Sequence, residues 1–258
     1  MPEFSANLGF LWNDRPLPEA IAAAAAAGFA AVECHWPYAF DAVEVRAALK
    51  SAGLEMLGLN TVRGDIAAGE NGLAALPGRE DEARAAVDQA LRYAAEIGCG
   101  AVHVMGGRTD GNPEAEAVFR KNLGYACERA ALQEATILIE PLNHRDAPGY
   151  HLRTVEQALA TIAAVGAPNL KLMFDCYHVQ VSQGDVLRRL QSALPHVGHI
   201  QIAGAPDRGE PDAGELDYGW LIEQITTMGW KRPLGAEYRP RNGSVEAGLG
   251  WMSRLSSA

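Results

Sequence analysis

The chain has 258 residues, 48% of them hydrophobic, which is enough to bury the core of one large α/β domain. Its formal net charge of -10 and pI near 5.2 speak against a nucleic-acid backbone as main partner, because that role needs Lys and Arg clustered on one face. Met1-Pro2-Glu3-Phe4 lacks the pattern of a secretory signal, and the alanine-rich run Ala20–Ala27 is too short to span a membrane. No membrane partner is expected, and the cytoplasm is the default location. Cys34, Cys99, Cys127 and Cys176 show no C-x-x-C spacing and sit among core-like neighbours, so buried free thiols are expected.

Taken in order, Phe4–Phe10 reads as a first strand and Leu17–Ala27 as a helix stopped by Gly28. Ala30–Cys34 is a second strand, Asp41–Ala52 a helix closed by Gly53, and Leu54–Asn60 a third strand. Thr61–Gly78 is a long glycine-containing stretch without periodicity, of the kind that serves as a lid or binding loop. Helix Glu80–Ile97, strand Ala101–Met105, a helix from Asn112-Pro113 to about Gln133 and strand Thr136–Glu140 follow. Helix Thr154–Val165, strand Leu170–Asp175, helix Gly184–Ala193, strand Val197–Ile202, helix Leu216–Met228, strand Pro233–Glu237 and helix Val245–Leu255 complete the chain. Eight strands alternating with eight helices over 258 residues predict a (β/α)8 TIM barrel in a single domain covering residues 1–258. Two doubly wound halves are the alternative. No linker marks such a division, and no Gly-rich phosphate fingerprint follows a strand.

Chemistry in such a barrel belongs at the C-terminal strand ends. Four consecutive late strands end at or near Glu140, Asp175, Gln201 and Glu237, spaced 35, 26 and 36 residues apart, each about one βα unit. Alternation puts Glu140 on the side of Leu138, Asp175 with Met173, Gln201 with His199 and Glu237 with Gly235. Three carboxylates converging without counter-charge raise one another's pKa, and a divalent cation resolves the conflict. The oxygen-only donor set favours Mg2+ or Mn2+ over zinc. A structural ion pair is the competing reading for any one of these residues. His178 is expected on the loop above the rim, and Arg208, seven residues after Gln201, as a carboxylate clamp for an acidic substrate. His199 and His103 read as residues of the core or just beneath the site.

Across nearly its whole length the chain resembles the hydroxypyruvate isomerase family, including the 2-oxo-tetronate isomerases, within the xylose-isomerase-like barrels. The segments that carry the resemblance are Asn60–Arg79, Glu140-Pro-Leu-Asn-His-Arg-Asp-Ala-Pro-Gly-Tyr150, Phe174-Asp-Cys-Tyr-His178, His199–Ala203 through Arg208–Pro211, and Gly235–Pro240. It implies a metal held by Glu140, Asp175, Gln201 and Glu237, an acid/base pair in Glu140 and Glu237, and substrate contacts from His178 and Arg208. The substrate is expected to be a small sugar acid, hydroxypyruvate or a 2-oxo-tetronate, isomerised through an enediolate. Gln201 points away from the ketose 3-epimerases, which carry His there. Thr61-Val62-Arg63 and Ile66 depart from the family pattern, and His144-Arg145-Asp146 leans toward the 2-oxo-tetronate isomerases. A ketose 3-epimerase and a non-catalytic sugar-acid binding barrel are the alternatives, with a nuclease of the same superfamily behind them. A homo-oligomer is an open expectation.

Overall fold

Nine parallel strands run in the order β3-β2-β1-β9-β8-β7-β6-β5-β4 in the computed structural model, which describes residues 2–256. They are β1 (Phe4–Asn7), β2 (Ala31–Glu33), β3 (Glu55–Met56), β4 (Leu59–Asn60), β5 (Ala101–His103), β6 (Thr136–Ile139), β7 (Leu170–Asp175), β8 (Val197–Ile202) and β9 (Leu234–Ala236). The expected third strand is therefore two short pieces. β3 pairs with β2 and β4 with β5, so Leu57-Gly58 turns the chain between its two neighbours and brings the sheet close to full closure. Leu57 N donates to Val32 O and Asn60 N to His35 O, which keeps the interrupted strand attached to β2 and its extension. The architecture is the expected TIM barrel.

Each strand alternates between two apolar surroundings. Ile137, Ile139, Leu172, Phe174, Ile200, Ile202, Leu234 and Ala236 face outward into the main core beneath the helices. The residues between them face the barrel interior, where Ala101, Leu138 and Met173 form a separate small cluster. The helices present small residues to the sheet; in Glu80–Ile97 the buried positions are Ala83, Ala86, Val87, Ala90, Leu91, Ala94 and Ile97, a 3–4 spacing that makes one face. One rung above Leu138 and Met173, the same alternation brings Glu140 and Asp175 inward at the C-terminal end.

Two further elements differ from expectation. A helix over Cys176–Ser182 follows β7 directly, started by Asp175, whose Oδ1 accepts from Tyr177 N at 2.8 Å. The closing helix is two pieces, Val245–Gly248 and Gly250–Ser256. The 61–78 stretch is anchored: Leu73, Ala74 and Ala75 are buried, Asn122 Nδ2 donates to Ala74 O at 2.9 Å, and the Arg63 guanidinium lies 3.9 Å above the Trp36 ring. Gly72, at φ +113°, pairs with Gly106 so closely that a Cβ would stand 2.5 Å from Met105 O. All four cysteines are buried and free. No helix of the described residues is long and apolar enough to cross a membrane.

Candidate active site

The mouth of the barrel holds a polar cavity lined by Asn7, Glu33, His35, Asn60, His103, Glu140, Gln201 and Glu237, floored by Leu138 and Met173. Every one of these polar residues comes from a strand end or the residues just after it. Asp175, His178 and Arg208 border the same group of carboxylates, and all three are buried. The six residues singled out from sequence thus lie together at one end of the barrel.

One flank is tightly paired. Arg208 Nη2 donates to Glu237 Oε2 at 2.9 Å and to Asp175 Oδ2 at 3.4 Å, and Nη1 lies 3.7 Å from Asp146 Oδ2. His35 Nε2 stands 2.9 Å from the other Glu237 oxygen. Burial opposes ionisation of Glu237, but Arg208 and His35 outweigh it and hold the carboxyl down at about 2. Arg208 occupies this position with φ +58°, a conformation that costs about 1–3 kcal/mol in a non-glycine residue and persists only where its surroundings enforce it. They do: Arg239 N donates to Arg208 O at 2.7 Å, and the guanidinium lies against the rings of Phe10 and Tyr177. Next door, Gly209 leaves room for Arg241, which binds Asp207, Glu210 and Ala213 O.

The other flank is open. Glu140 Oε1 is buried without a hydrogen-bond partner; His178 Nε2 and His103 Nδ1 are its nearest cationic-type neighbours, each 3.8 Å from one of its oxygens. Burial first, then the charges of Glu237 and Asp175, push the Glu140 carboxyl well above the usual range. Burial likewise lifts Asp175 to about 7 against the pull of Arg208. Both nitrogens of the buried His103 are unpaired, and desolvation takes its pKa to about 3, so the ring is neutral.

His178 has a defined tautomer. Asn143 Oδ1 accepts from Arg145 N at 3.0 Å and Asp146 N at 2.8 Å, which assigns the other end of that amide as the nitrogen. Asn143 Nδ2 and Asn143 N then both donate to His178 Nδ1, at 2.8 and 3.0 Å. Burial, followed by Arg208, keeps the imidazole neutral, so its single proton sits on Nε2, which points at Asp175 Oδ2 (3.6 Å) and Glu140 Oε1 (3.8 Å). His178 is a hydrogen-bond donor to whatever lies between these acids.

Glu140, Asp175 and His178 bring ligand-type atoms within 4.8 Å of one another, but a protonated Nε2 has no lone pair for a cation. Glu237 stands outside that cluster, its oxygens held by Arg208 and His35. Gln201 Oε1 is buried and unpaired, as is Glu140 Oε1, while the Gln201 Nε2 donates to Glu33 Oε2 at 2.9 Å. Around them stand four carboxylates, Glu33, Glu140, Asp175 and Glu237, against one guanidinium, Arg208. The counter-charge that sequence reasoning gave wholly to a cation is thus partly supplied by Arg208, and a deficit remains.

Sequence reasoning overlooked Glu33, His35 and Asn143. Glu33 ends a strand as Glu140 does, and the same strand-end rule would have found it; His35 and Asn143 carry no such signal, since what marks them is their distant partners Glu237 and His178. His178 itself lies in the first turn of a helix and not on a loop, because Asp175 caps that turn. His199 is buried and hydrogen-bonded to Glu33, in line with a place just beneath the site.

A family model described as a xylose-isomerase-like TIM barrel matches residues 21–255. The 2-oxo-tetronate isomerase of Cupriavidus necator is 48% identical over 98% of both chains, and the hydroxypyruvate isomerase of Escherichia coli is 39% identical over 98% of both. The chain belongs to the hydroxypyruvate isomerase family. Like its named relatives it is an enzyme of the isomerase class. Within this family of xylose-isomerase-like barrels, a crystal structure from Brucella melitensis described as an AP endonuclease of family 2 superposes with a TM-score of 0.95 at 41% identity, covering 98% of this chain and 99% of the other. The barrel that carries the rim is thus shared with that structure over nearly its whole length.

Proposed function

We propose that the protein is a divalent-metal-dependent isomerase of a small sugar acid, hydroxypyruvate or a 2-oxo-tetronate, acting by proton transfer between adjacent carbons. The observation that carries this reading is the pair of buried, unpartnered oxygens, Glu140 Oε1 and Gln201 Oε1, beside Asp175 and Glu237. A buried polar atom without a partner is costly, and two of them in an acidic ring are what a cation would satisfy. Glu140, Asp175, Gln201 and Glu237 would hold it; their hard oxygen donors suit Mg2+ or Mn2+. Bound there, the ion would supply charge stabilisation to the oxygens of the substrate as negative charge develops on them.

The chain's own groups do the rest. Glu140 and Glu237 line one cavity from strand ends that are separated by β8 and β7, so two carboxylates can approach a flat enediolate from different directions. One removes the proton bonded to the carbon next to the carbonyl, the same residue or its partner returns a proton to the former carbonyl carbon, and a proton passes from the hydroxyl oxygen to the former carbonyl oxygen to complete the exchange. His178, with its proton on Nε2, donates to a substrate oxygen. Arg208 keeps Glu237 ionised and adds positive charge where the substrate's carboxylate enters. Anchored by Arg239 and Arg241, it orients without needing to move.

Support from relatives is consistent: the Cupriavidus necator protein is named for a 2-oxo-tetronate and the Escherichia coli protein for hydroxypyruvate. An acidic mouth and a net charge of -10 suit a small substrate held by local donors and disfavour a DNA backbone. The test is isomerisation of hydroxypyruvate and of 2-oxo-tetronates with Mg2+ or Mn2+ added or chelated. Turnover that depends on metal and on both glutamates is the expected result. Conversion of a ketose into its 3-epimer, or tight sugar-acid binding without turnover under either metal, would replace this reading.

A further inference from the structure

Glu33 takes no part in the steps above, yet it reaches across the barrel from β2 to β8 over two strands with minimal side chains at the crossing. On β1 it passes Ser5, and on β9 it passes Gly235, where a Cβ would stand 2.2 Å from Glu33 Oε1 and 2.7 Å from His199 Nε2. Three donors converge on the buried carboxylate: Ser5 Oγ at 3.3 Å, His199 Nε2 at 3.2 Å from both oxygens, and Gln201 Nε2 at 2.9 Å. We infer that Glu33 is a positioning residue that locks the Gln201 amide with its carbonyl oxygen, and not its NH2, facing the carboxylate ring.

The physical need is specific. An amide can turn over at small steric cost, because its oxygen and nitrogen are nearly equal in size. Surrounded by Glu140, Asp175 and Glu237, a free Gln201 would turn its NH2 toward the acids and become a donor there, repelling a cation. With Glu33 in place that turn sets the Gln201 oxygen against a carboxylate oxygen at hydrogen-bond distance with no proton between them. The acceptor behind the ligand thus decides which atom the ligand presents, and such supporting contacts are worth about 10–100-fold in metal affinity.

This inference rests on the metal-binding reading, and the experiment separates the two. Mn2+ is titrated into chelator-treated protein without substrate, free ion being followed by electron paramagnetic resonance, for native protein, Glu33→Ala, Gln201→Glu and the double variant. In the native background Glu33→Ala should weaken Mn2+ binding about 10–100-fold. In the Gln201→Glu background the ligand is symmetric and lies against the Glu33 carboxylate, so Glu33→Ala should strengthen binding. Loss of similar size in both backgrounds would reduce Glu33 to packing and overturn the inference while leaving the metal site standing. Absence of Mn2+ binding by native protein would overturn the metal reading itself. Should Glu33→Ala lose its near-ultraviolet circular dichroism, Glu33→Gln carries the same test. It keeps an oxygen for Gln201, so native-background binding should stay within about threefold, while binding in the Gln201→Glu background still rises; a deep loss in the first or a fall in the second overturns the orienting role.

Discussion

The two glutamates at the barrel mouth have the same chemistry and opposite surroundings. Glu237 receives Arg208 on one oxygen and His35 on the other, and is held ionised. Glu140, three strands away around the rim, has an unpaired buried oxygen and two neutral imidazoles near it, and is pushed toward its protonated form. One flank is already paired within the chain; the other carries a buried oxygen that no protein donor reaches. The two pKa values are driven apart by burial at Glu140 and by Arg208 and His35 at Glu237, which is the arrangement that would let paired carboxylates divide acid and base roles.

The strongest way to break the contrast is to remove each carboxylate charge in turn. Glu237→Gln and Glu140→Gln should each lower kcat by about 10²–10⁴-fold in the metal-loaded enzyme, measured on hydroxypyruvate and 2-oxo-tetronate. Full activity in either variant would remove that glutamate from the acid/base pair. Next in size is the cost of emptying the paired flank. Arg208→Leu strands Asp175 and Glu237 without their counter-charge and should destabilise the protein by about 3–5 kcal/mol in urea unfolding with chelator present. Added Mn2+ should narrow that deficit, since a cation near the same acids replaces part of the lost charge.

A smaller effect sharpens the contrast by its sign. A carboxyl whose folded pKa is raised, as for Glu140, stabilises below the ordinary carboxylate range and loses that contribution as pH rises. In chelator, Glu140→Gln should therefore gain on the native protein between pH 4 and pH 7, by about 1–3 kcal/mol at the upper end. With Mn2+ the order should reverse. Glu237, whose folded pKa is depressed to about 2, behaves oppositely: its contribution is present above the ordinary carboxylate range and is lost as pH falls toward that value. The same order of stability with and without metal would show that Glu140 does not meet the ion.

The smallest effect concerns His178. Asn143→Ala removes one of two donors to Nδ1 and leaves the backbone N–H, so kcat/KM should fall only about 3–10-fold, equivalent to about 0.5–1.5 kcal/mol. Nitrogen-15 spectra of the histidine ring should show the Nε2–H tautomer in native protein and a mixture in the variant. An unchanged tautomer with unchanged kinetics would leave the backbone donor as sufficient.

Strand order, helix spacing and the inward aim of Glu140, Asp175, Gln201 and Glu237 were legible in the chain, because side-chain alternation and the βα repeat are local periodicities that translate directly into faces and levels. The division of the third strand was not read, since Gly58 was the sole interruption in Leu54–Asn60 and it is the separate pairing with β2 and β5 that makes the chain turn at Leu57-Gly58. Nor was the short helix under His178, whose seven residues carry too little periodicity to announce it. The asymmetry of the rim lay furthest out of reach. Arg208 follows Gln201 closely in sequence, but that it pairs with Glu237 and Asp175 while Glu140 stays unpaired depends on a loop fixed by Arg239 and Arg241, residues from beyond the last strand. By itself the sequence determined that Glu140, Asp175, Gln201 and Glu237 come together at one end of the barrel. Only the tertiary structure decided which of them are satisfied, because that depends on side chains brought together from distant turns of the barrel.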